Sequence, residues 1–297
     1  MPDTPVFLVT GATGTVGGAL TRLLAARGAP VRAMSRHPER ASFPAGTQPW
    51  AADFSDPASV KAALAGTRRV FLLTGGPDGP RHDQIAAQAA AEVGVEYLVK
   101  LSVLGISERA GDPVTRWHRA GEDAVRGSGV PCGFIRPGAF MSNALNWAPS
   151  IASAGTVAVP FADLPVAPVD PVDIAAVAYH MLTRPEPSGT AHPVTGPEVI
   201  TPRQQVKVLS DLLARPLHVA DLTAGQARDQ FTSYGMDPEL ADAVVATMAG
   251  PLEGHGCTPT PDVEQVTGIP ARTFRRWAIA HLADFAVPAE PSEWAGR

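Results

Sequence analysis

Three glycines spaced three apart, in Gly11-Ala12-Thr13-Gly14-Thr15-Val16-Gly17, stand directly after the apolar run Val6-Phe7-Leu8-Val9. The order reads as a buried strand, a tight turn and a helix start. In that setting Gly11 permits the turn, Gly14 lets the main chain approach a pyrophosphate, and Gly17 lets the helix pack closely on the strand. Thr13, Thr15 and Val16 lie in the same turn and belong to the same site. The open amide groups of a helix start, together with its dipole, favour phosphate. The chemistry implied is the binding of a dinucleotide.

Which dinucleotide is read further on. Ser35-Arg36 closes a second apolar run about nineteen residues past Gly17. An acidic side chain at that point would bond the ribose 2′-hydroxyl of NAD, whereas a guanidinium suits a 2′-phosphate through paired, charge-assisted hydrogen bonds. His37 and Arg40 add positive character, so NADP(H) is expected over NAD(H). Asp53-Phe54 follows the short strand-like run Trp50-Ala51-Ala52. Asp53 there can accept from the adenine amino group, or can serve a turn, since Asp53 and Asp56 flank one. Leu73, Thr74 and Gly75 end a fourth strand, where small residues leave room for ribose and nicotinamide; a plain loop accounts for the glycine almost as well. Pro137, ending a later strand, is placed in the same cofactor site. Phe140, Met141, Asn143 and Trp147 follow it and are expected to line a flat, apolar substrate pocket, with core packing the alternative for Phe140 and Trp147. Phe231, Tyr234 and Met236 are candidates for the opposite wall.

The elements that must position these residues alternate. Strands are expected at Val6–Val9, Val31–Ser35, Arg69–Thr74, Tyr97–Ser102 and Cys132–Arg136. Helices are expected at Val16–Arg27, Pro57–Ala65, Pro80–Val93 and Val114–Arg126. Gly28 stops the first helix, and Asp56 caps the second. Such alternation implies an α/β fold, a Rossmann-type doubly wound parallel sheet covered on both faces. Beyond about residue 140 the pattern loosens. Helices are expected at Leu145–Ala154, Asp173–Leu182, Thr201–Ala214, Pro238–Met248 and Thr273–Phe285, the last burying Phe274, Trp277, Leu282 and Phe285. Val157–Val169 reads as short edge strands. The expected division is residues 1–150 as the NAD(P)-binding domain and 151–297 mainly as a smaller C-terminal substrate lobe, with the 170–184 segment packing back on the first domain.

Composition narrows the class. With 297 residues, 45% hydrophobic and 18% charged, the chain can bury a sizeable core. A net charge of −5 argues against a general nucleic-acid or membrane-surface binder. No apolar run reaches the ~18 residues of a membrane span, and no basic leader opens the chain. Cys132 and Cys257 lack ligand spacing, and Cys132 sits in an apolar strand run. The histidines show no metal-binding spacing, so no metal is expected. The location expected is cytoplasmic, and the chain a monomer or homodimer.

With Gly11–Gly17, Arg36 and Asp53-Phe54 in place, the chain resembles the NmrA-like group of atypical short-chain dehydrogenase/reductases. The runs 88–98 and 129–141, the latter Gly129-Val130-Pro131-Cys132-Gly133-Phe134-Ile135-Arg136-Pro137-Gly138-Ala139-Phe140-Met141, are similar to family segments, as are 170–178 and 201–214. The resemblance covers nearly the whole chain. It implies NADPH-dependent reductases of quinones and triphenylmethane dyes, and also redox-sensing regulators. The usual Tyr-x-x-x-Lys pair of short-chain dehydrogenases is replaced: His118 falls at the lysine position and Val114 at the tyrosine position. Ser102 lies near the position of the usual catalytic serine. His118 could donate a proton or hydrogen bond near neutral pH, with Glu122, four residues on, orienting its ring. Lys100 is expected to be solvated. Without a strong acid, hydride transfer to a quinone or other conjugated aromatic carbonyl compound suits the site, because charge spreads over the acceptor. The alternative is a non-catalytic NADP(H) sensor that binds a partner protein; a third option uses the bound nucleotide for isomerisation or dehydration.

Overall fold

The computed structural model describes residues 6–106, 113–249 and 258–286. Seven parallel strands make the main sheet: β1 (Phe7–Val9), β2 (Val31–Ser35), β3 (Thr47–Ala51), β4 (Arg69–Leu72), β5 (Tyr97–Leu101), β6 (Cys132–Pro137) and, skipping one strand, β8 (Ala191–Val194). Their order is β3-β2-β1-β4-β5-β6-β8. That is the doubly wound order, with the winding reversing between β1 and β4, where an open crevice forms at the carboxyl ends of the strands. The strand left out, β7 (Thr156–Pro160), pairs with β9 (His218–Leu222) in a small parallel sheet of its own.

Continuous apolar strands are what a sheet covered on both faces requires. Leu8, Val70, Leu72, Leu98 and Phe134 pack on one side beneath α2 (Pro57–Leu64), α3 (Gly79–Val93) and α4 (Pro113–Gly127). Phe7, Val9, Phe71, Val99 and Ile135 pack on the other, against α1 (Thr15–Ala26). Asp56 caps α2 by accepting from the Ala58 amide at 3.0 Å, and Gly28 leaves α1 with φ +71°. Cys132 is buried in β6; Cys257 lies outside the described residues.

The second half departs from its expected outline in four places. The 145–154 helix is instead a 3-10 turn over Met141–Trp147 followed by α5 (Ala148–Ala154). Pro149 lacks the amide that a continuous helix needs and starts a new helix. The boundary at 150 is not where the main sheet ends. β8 joins it beside β6, while α6 (Pro171–Thr183), within the segment expected to pack back on the first domain, buries Ile174, Val177, Ala178 and Met181 in the same core as α1. Of Val157–Val169 only β7 is a regular strand. The helix expected over 273–285 breaks at His281 into two short helices, Phe274–Ala280 and Leu282–Ala286. The break lets Phe285 return edge-on to Trp277 while Phe274 and His281 pack on the same indole; Leu282 stays half-buried.

Between these pieces α7 (Pro202–Leu212) sits on β9, and α8 (Ala224–Ser233) and α9 (Pro238–Ala249) form a helical pair whose second member packs against α4. The segment α10 (Asp262–Thr267) lies on α6 and β8. Both outer strands of the main sheet contain a proline. Ala52 donates to Ser35 O, so every second residue back along β3 faces β2 and Pro49 faces outward. Phe134 and Gly138 donate to Thr190 O and Val194 O, so Pro193 likewise faces out. An edge strand is where a missing amide is tolerated.

Candidate active site

The strand β1 delivers Thr10 and then the glycine turn. Gly11 has φ +59°, a conformation open to glycine at little cost. Gly14 is the N-cap of α1, has no side chain to close the helix's open amides, and no acidic residue stands in the first turn. A Cβ on Gly17 would lie 2.2 Å from Gly11 O, so the helix start is pressed directly onto the turn. Thr13 and Thr15 are exposed, Val16 is buried, and no side chain caps the amides that open this end of the helix. This is a cradle that fits a pyrophosphate.

Across the crevice the Thr10 hydroxyl accepts from the Leu73 amide at 2.7 Å and donates to Leu73 O at 3.2 Å. It stitches the end of β1 to the turn after β4, which carries Leu73, Thr74 and Gly75. Arg36 is exposed beyond Ser35 at the end of β2 and takes no part in the His37–Glu39–Arg40 ion pairs. Asp53 forms a turn with the Ser55 amide at 2.8 Å; that bond first, and then the nearby charges of Arg36 and His82, hold its carboxyl below the ordinary range. Phe54 stacks on His82 with ring centroids 5.2 Å apart. Asp53, Phe54 and Arg36 are thus brought to one end of the crevice. Pro137 is buried, and its carbonyl already accepts from the Leu104 amide.

The period of two along the strands sets the chemistry at their carboxyl ends. On the α3–α4 face, apolar Leu72, Leu98 and Phe134 give way one step later to Thr74, Lys100 and Arg136, with Ser102 after Lys100. Lys100 is therefore not solvated: it is wholly buried and pairs with Asp83 of α3 at 2.7 Å. Nor does Glu122 turn to His118. Its buried carboxylate accepts from Arg136 Nε at 2.9 Å and Nη2 at 2.8 Å, and from Arg126 at 2.7 Å. Burial pushes this carboxyl up, but Arg136, Ser102 and Arg126 together hold it below its ordinary value. The Ser102 hydroxyl, buried beside Glu122, makes no hydrogen bond of full geometry. His118 sits half-buried one turn before Glu122 on α4, with Val114 a further turn away.

Among the residues expected at the substrate, Met141 is wholly buried in the core of the C-terminal part with Ala144 and Ile151, so its side chain is packing. Phe140 and Trp147 are half-buried, Phe140 against the main core and Trp147 against the C-terminal one, while Asn143 is exposed. Of the opposite wall, Phe231 and Met236 are half-buried and Tyr234 is exposed. Sequence reading missed Asp83, and a signal was present. A lysine amid the apolar strand residues 97–101 needs a buried partner, and Gly121 inside α4 marks where that pair sits.

A family model described as NAD(P)H-binding matches residues 11–185. The chain is 44% identical, over 95% of its length and 99% of the relative's, to a (4-alkanoyl-5-oxo-2,5-dihydrofuran-3-yl)methyl phosphate reductase of Streptomyces griseus subsp. griseus. It is 35% identical, over 94% of its length and 99% of the relative's, to an NAD(P)H azoreductase of Xenophilus azovorans. Two solved structures share the fold. An NADPH-dependent quinone oxidoreductase of Escherichia coli complexed with NADPH has a TM-score of 0.79 at 22% identity, covering 94% of this chain and 99% of that one. A triphenylmethane reductase of Citrobacter sp. has a TM-score of 0.80 at 19% identity with the same coverage. The glycine cradle, the seven-stranded doubly wound sheet and these matches agree: the chain belongs to the NAD(P)H-binding family, with the NmrA-like short-chain fold, and is an NAD(P)H-dependent oxidoreductase.

Proposed function

We propose that this oxidoreductase uses NADPH to reduce a small conjugated carbonyl acceptor by two electrons and two protons, saturating the ring double bond of an acylated butenolide or converting a quinone to its hydroquinone. The observation that carries the reading is the make-up of α4, with Val114 and His118 where short-chain dehydrogenases place a tyrosine and a lysine. A site without that acid pair suits an acceptor that spreads the incoming charge over its own carbonyls. The relative from S. griseus supports the same class. A 5-oxo-2,5-dihydrofuran with a 4-alkanoyl group has its ring double bond conjugated to both carbonyls.

When bound, the nicotinamide supplies hydride. The chain's part is to bind and orient. The turn of Gly11, Thr13 and Gly14, whose Gly14 amide closes on Gly11 O at 2.9 Å, and the helix start of Thr15, Val16 and Gly17 hold the pyrophosphate, and Ser35 and Arg36 the 2′-phosphate. Asp53 and Phe54 meet the adenine. Thr74 and Gly75 offer main chain to the nicotinamide half, with Leu73 and Pro137 shaping the same wall. His118 donates a hydrogen bond or a proton to the acceptor oxygen on which charge collects, and Ser102 polarises the same end. Phe140, Asn143 and Trp147 border the acceptor, which the protein places flat against the nicotinamide.

Anaerobic oxidation of NADPH, followed at the nicotinamide absorbance, is the test, run against an acylated butenolide, naphthoquinones and an azo dye. Turnover of the butenolide or a quinone is expected, and mass spectrometry should show two added hydrogens. Turnover of the azo dye alone, or NADPH binding with no turnover across the panel, would overturn the assignment.

A further inference from the structure

We propose that Lys100 and Asp83 are positioning residues of the cofactor site, acting through Thr74 to hold the strand-end turn 73–76 against the nucleotide. The inference rests on the reading of that turn as part of the cofactor site.

Three buried polar groups converge here. Lys100 Nζ lies 2.7 Å from Asp83 Oδ2 and donates to Thr74 Oγ1 at 3.2 Å, while Thr74 Oγ1 donates to Asp83 Oδ1 at 2.7 Å. The threonine hydroxyl therefore has its hydrogen directed to one partner and a lone pair to the other, which fixes its rotamer. The helix α4 closes the site with Gly121. A Cβ there would stand 2.0 Å from Asp83 Oδ2 and 3.0 Å from Lys100 Cε, so the pair is sealed under bare backbone.

Core stability does not account for this arrangement. A buried ion pair is commonly no better than apolar side chains of similar volume, because desolvation offsets the attraction. Leu72, Leu98 and Phe134 show that the same face packs well with apolar residues one step below. What the charges add is a grip on one hydroxyl. Thr74 is the last residue before Gly75 and Gly76; Gly76 has φ +73°, and neither glycine has a neighbour within 4 Å of its Cβ position. The turn has no side chain of its own to anchor it there. Thr10 clamps Leu73 from the β1 side, and Lys100 with Asp83 clamps Thr74 from the β5–α3 side. The turn that faces the crevice is thus held from both flanks.

The test is a binding cycle read by NADPH fluorescence, with thermal melting as the check on folding. K100M/D83A removes both charges together and leaves no unpaired ion. It is expected to fold and to bind NADPH about tenfold more weakly, the size of losing one hydrogen bond to a charged group. T74V, which leaves Lys100 and Asp83 paired with each other, should show the same loss. The triple variant should show no further loss, because all three act through one contact. A folded K100M/D83A protein that binds as the unmodified protein does, or losses that add in the triple variant, would overturn the proposal. Should K100M/D83A fail to fold, amide exchange in cofactor-free T74V decides. Faster exchange at Gly75 and Gly76 is expected, and unchanged exchange refutes. Gly14→Val separates this inference from the reading beneath it. NADPH binding that survives Gly14→Val sinks the cofactor site itself. Binding lost there but unchanged in K100M/D83A sinks only the positioning role.

Discussion

Replacing Gly17 by alanine tests the cofactor cradle through a single added methyl group. The new Cβ would stand 2.2 Å from Gly11 O, 2.7 Å from Gly11 C and 3.0 Å from Thr10 O. All three are backbone atoms of the turn, so no side chain can swing aside. Relief requires α1 to retreat by on the order of 1 Å, and α1 carries Val16, Leu20 and Leu24, which are fully packed beneath it. Overpacking of this kind costs about 1–3 kcal/mol. In domains of about 150–250 residues each kcal/mol lowers the melting temperature by about 2–4 °C, so a fall of roughly 2–12 °C is expected. The same retreat displaces the amides that meet the pyrophosphate, so NADPH affinity should drop at least about tenfold even where the protein remains folded. Gly225→Ala, on α8 and outside the cofactor site, is the control: its Cβ position meets nothing within 4 Å, and its stability should change by no more than about 0.5 kcal/mol. Thermal melts and fluorescence titration of the two variants decide the matter. A Gly17→Ala protein that melts and binds as the unmodified one does would refute the close-approach argument.

Three further outcomes are expected. Arg36→Ala should weaken NADPH by about ten- to a hundredfold while leaving NADH nearly unchanged, since only the former has a 2′-phosphate to lose; equal losses in titrations of both would remove the assignment. His118→Ala should lower kcat by about a hundredfold or more with little change in NADPH affinity, the range of a lost general acid; steady-state kinetics with unaltered kcat would make His118 structural. His192 tests pH dependence away from the site. Its ring bonds Asp262 at 3.0 Å and Glu186 at 2.8 Å, and these partners, Asp262 first, raise its pKa despite burial. A raised folded value means the stabilisation is fully present below the unfolded pKa of about 6.5 and is lost as pH rises through the folded one. His192→Asn should therefore lower the melting temperature by a few degrees at pH 6 and by less at pH 9, and a gap that does not narrow would count against this.

The first half of the fold is legible because parallel strands covered on both faces must be apolar throughout, and Val70-Phe71-Leu72 or Tyr97-Leu98-Val99 have few other homes. The glycine turn is legible because its spacing and its place after β1 carry one physical meaning. The second half hides its strands for an equally physical reason. β8 contains Pro193 and His192, and β9 is half-exposed, so neither presents a run or a clean alternation. Within the site, Glu122 shows the limit of local spacing. A residue four positions on is near His118, but a guanidinium arriving from β6 offers two parallel charged hydrogen bonds, and that geometry prevails. The Lys100–Asp83 pair is hidden similarly, because α3 and β5 meet only once the sheet has formed.

The two outward-facing prolines have a consequence for assembly. A strand added to either side of the main sheet would look for a regular row of amide donors and meet a gap at Pro49 or Pro193. On the β8 side, moreover, the Pro193 carbonyl is already taken by the Thr260 hydroxyl at 2.6 Å. Both margins are closed to extended peptides and to the strands of a second copy. Pairing of two copies strand to strand through the main sheet therefore forfeits ladder hydrogen bonds at whichever margin it uses.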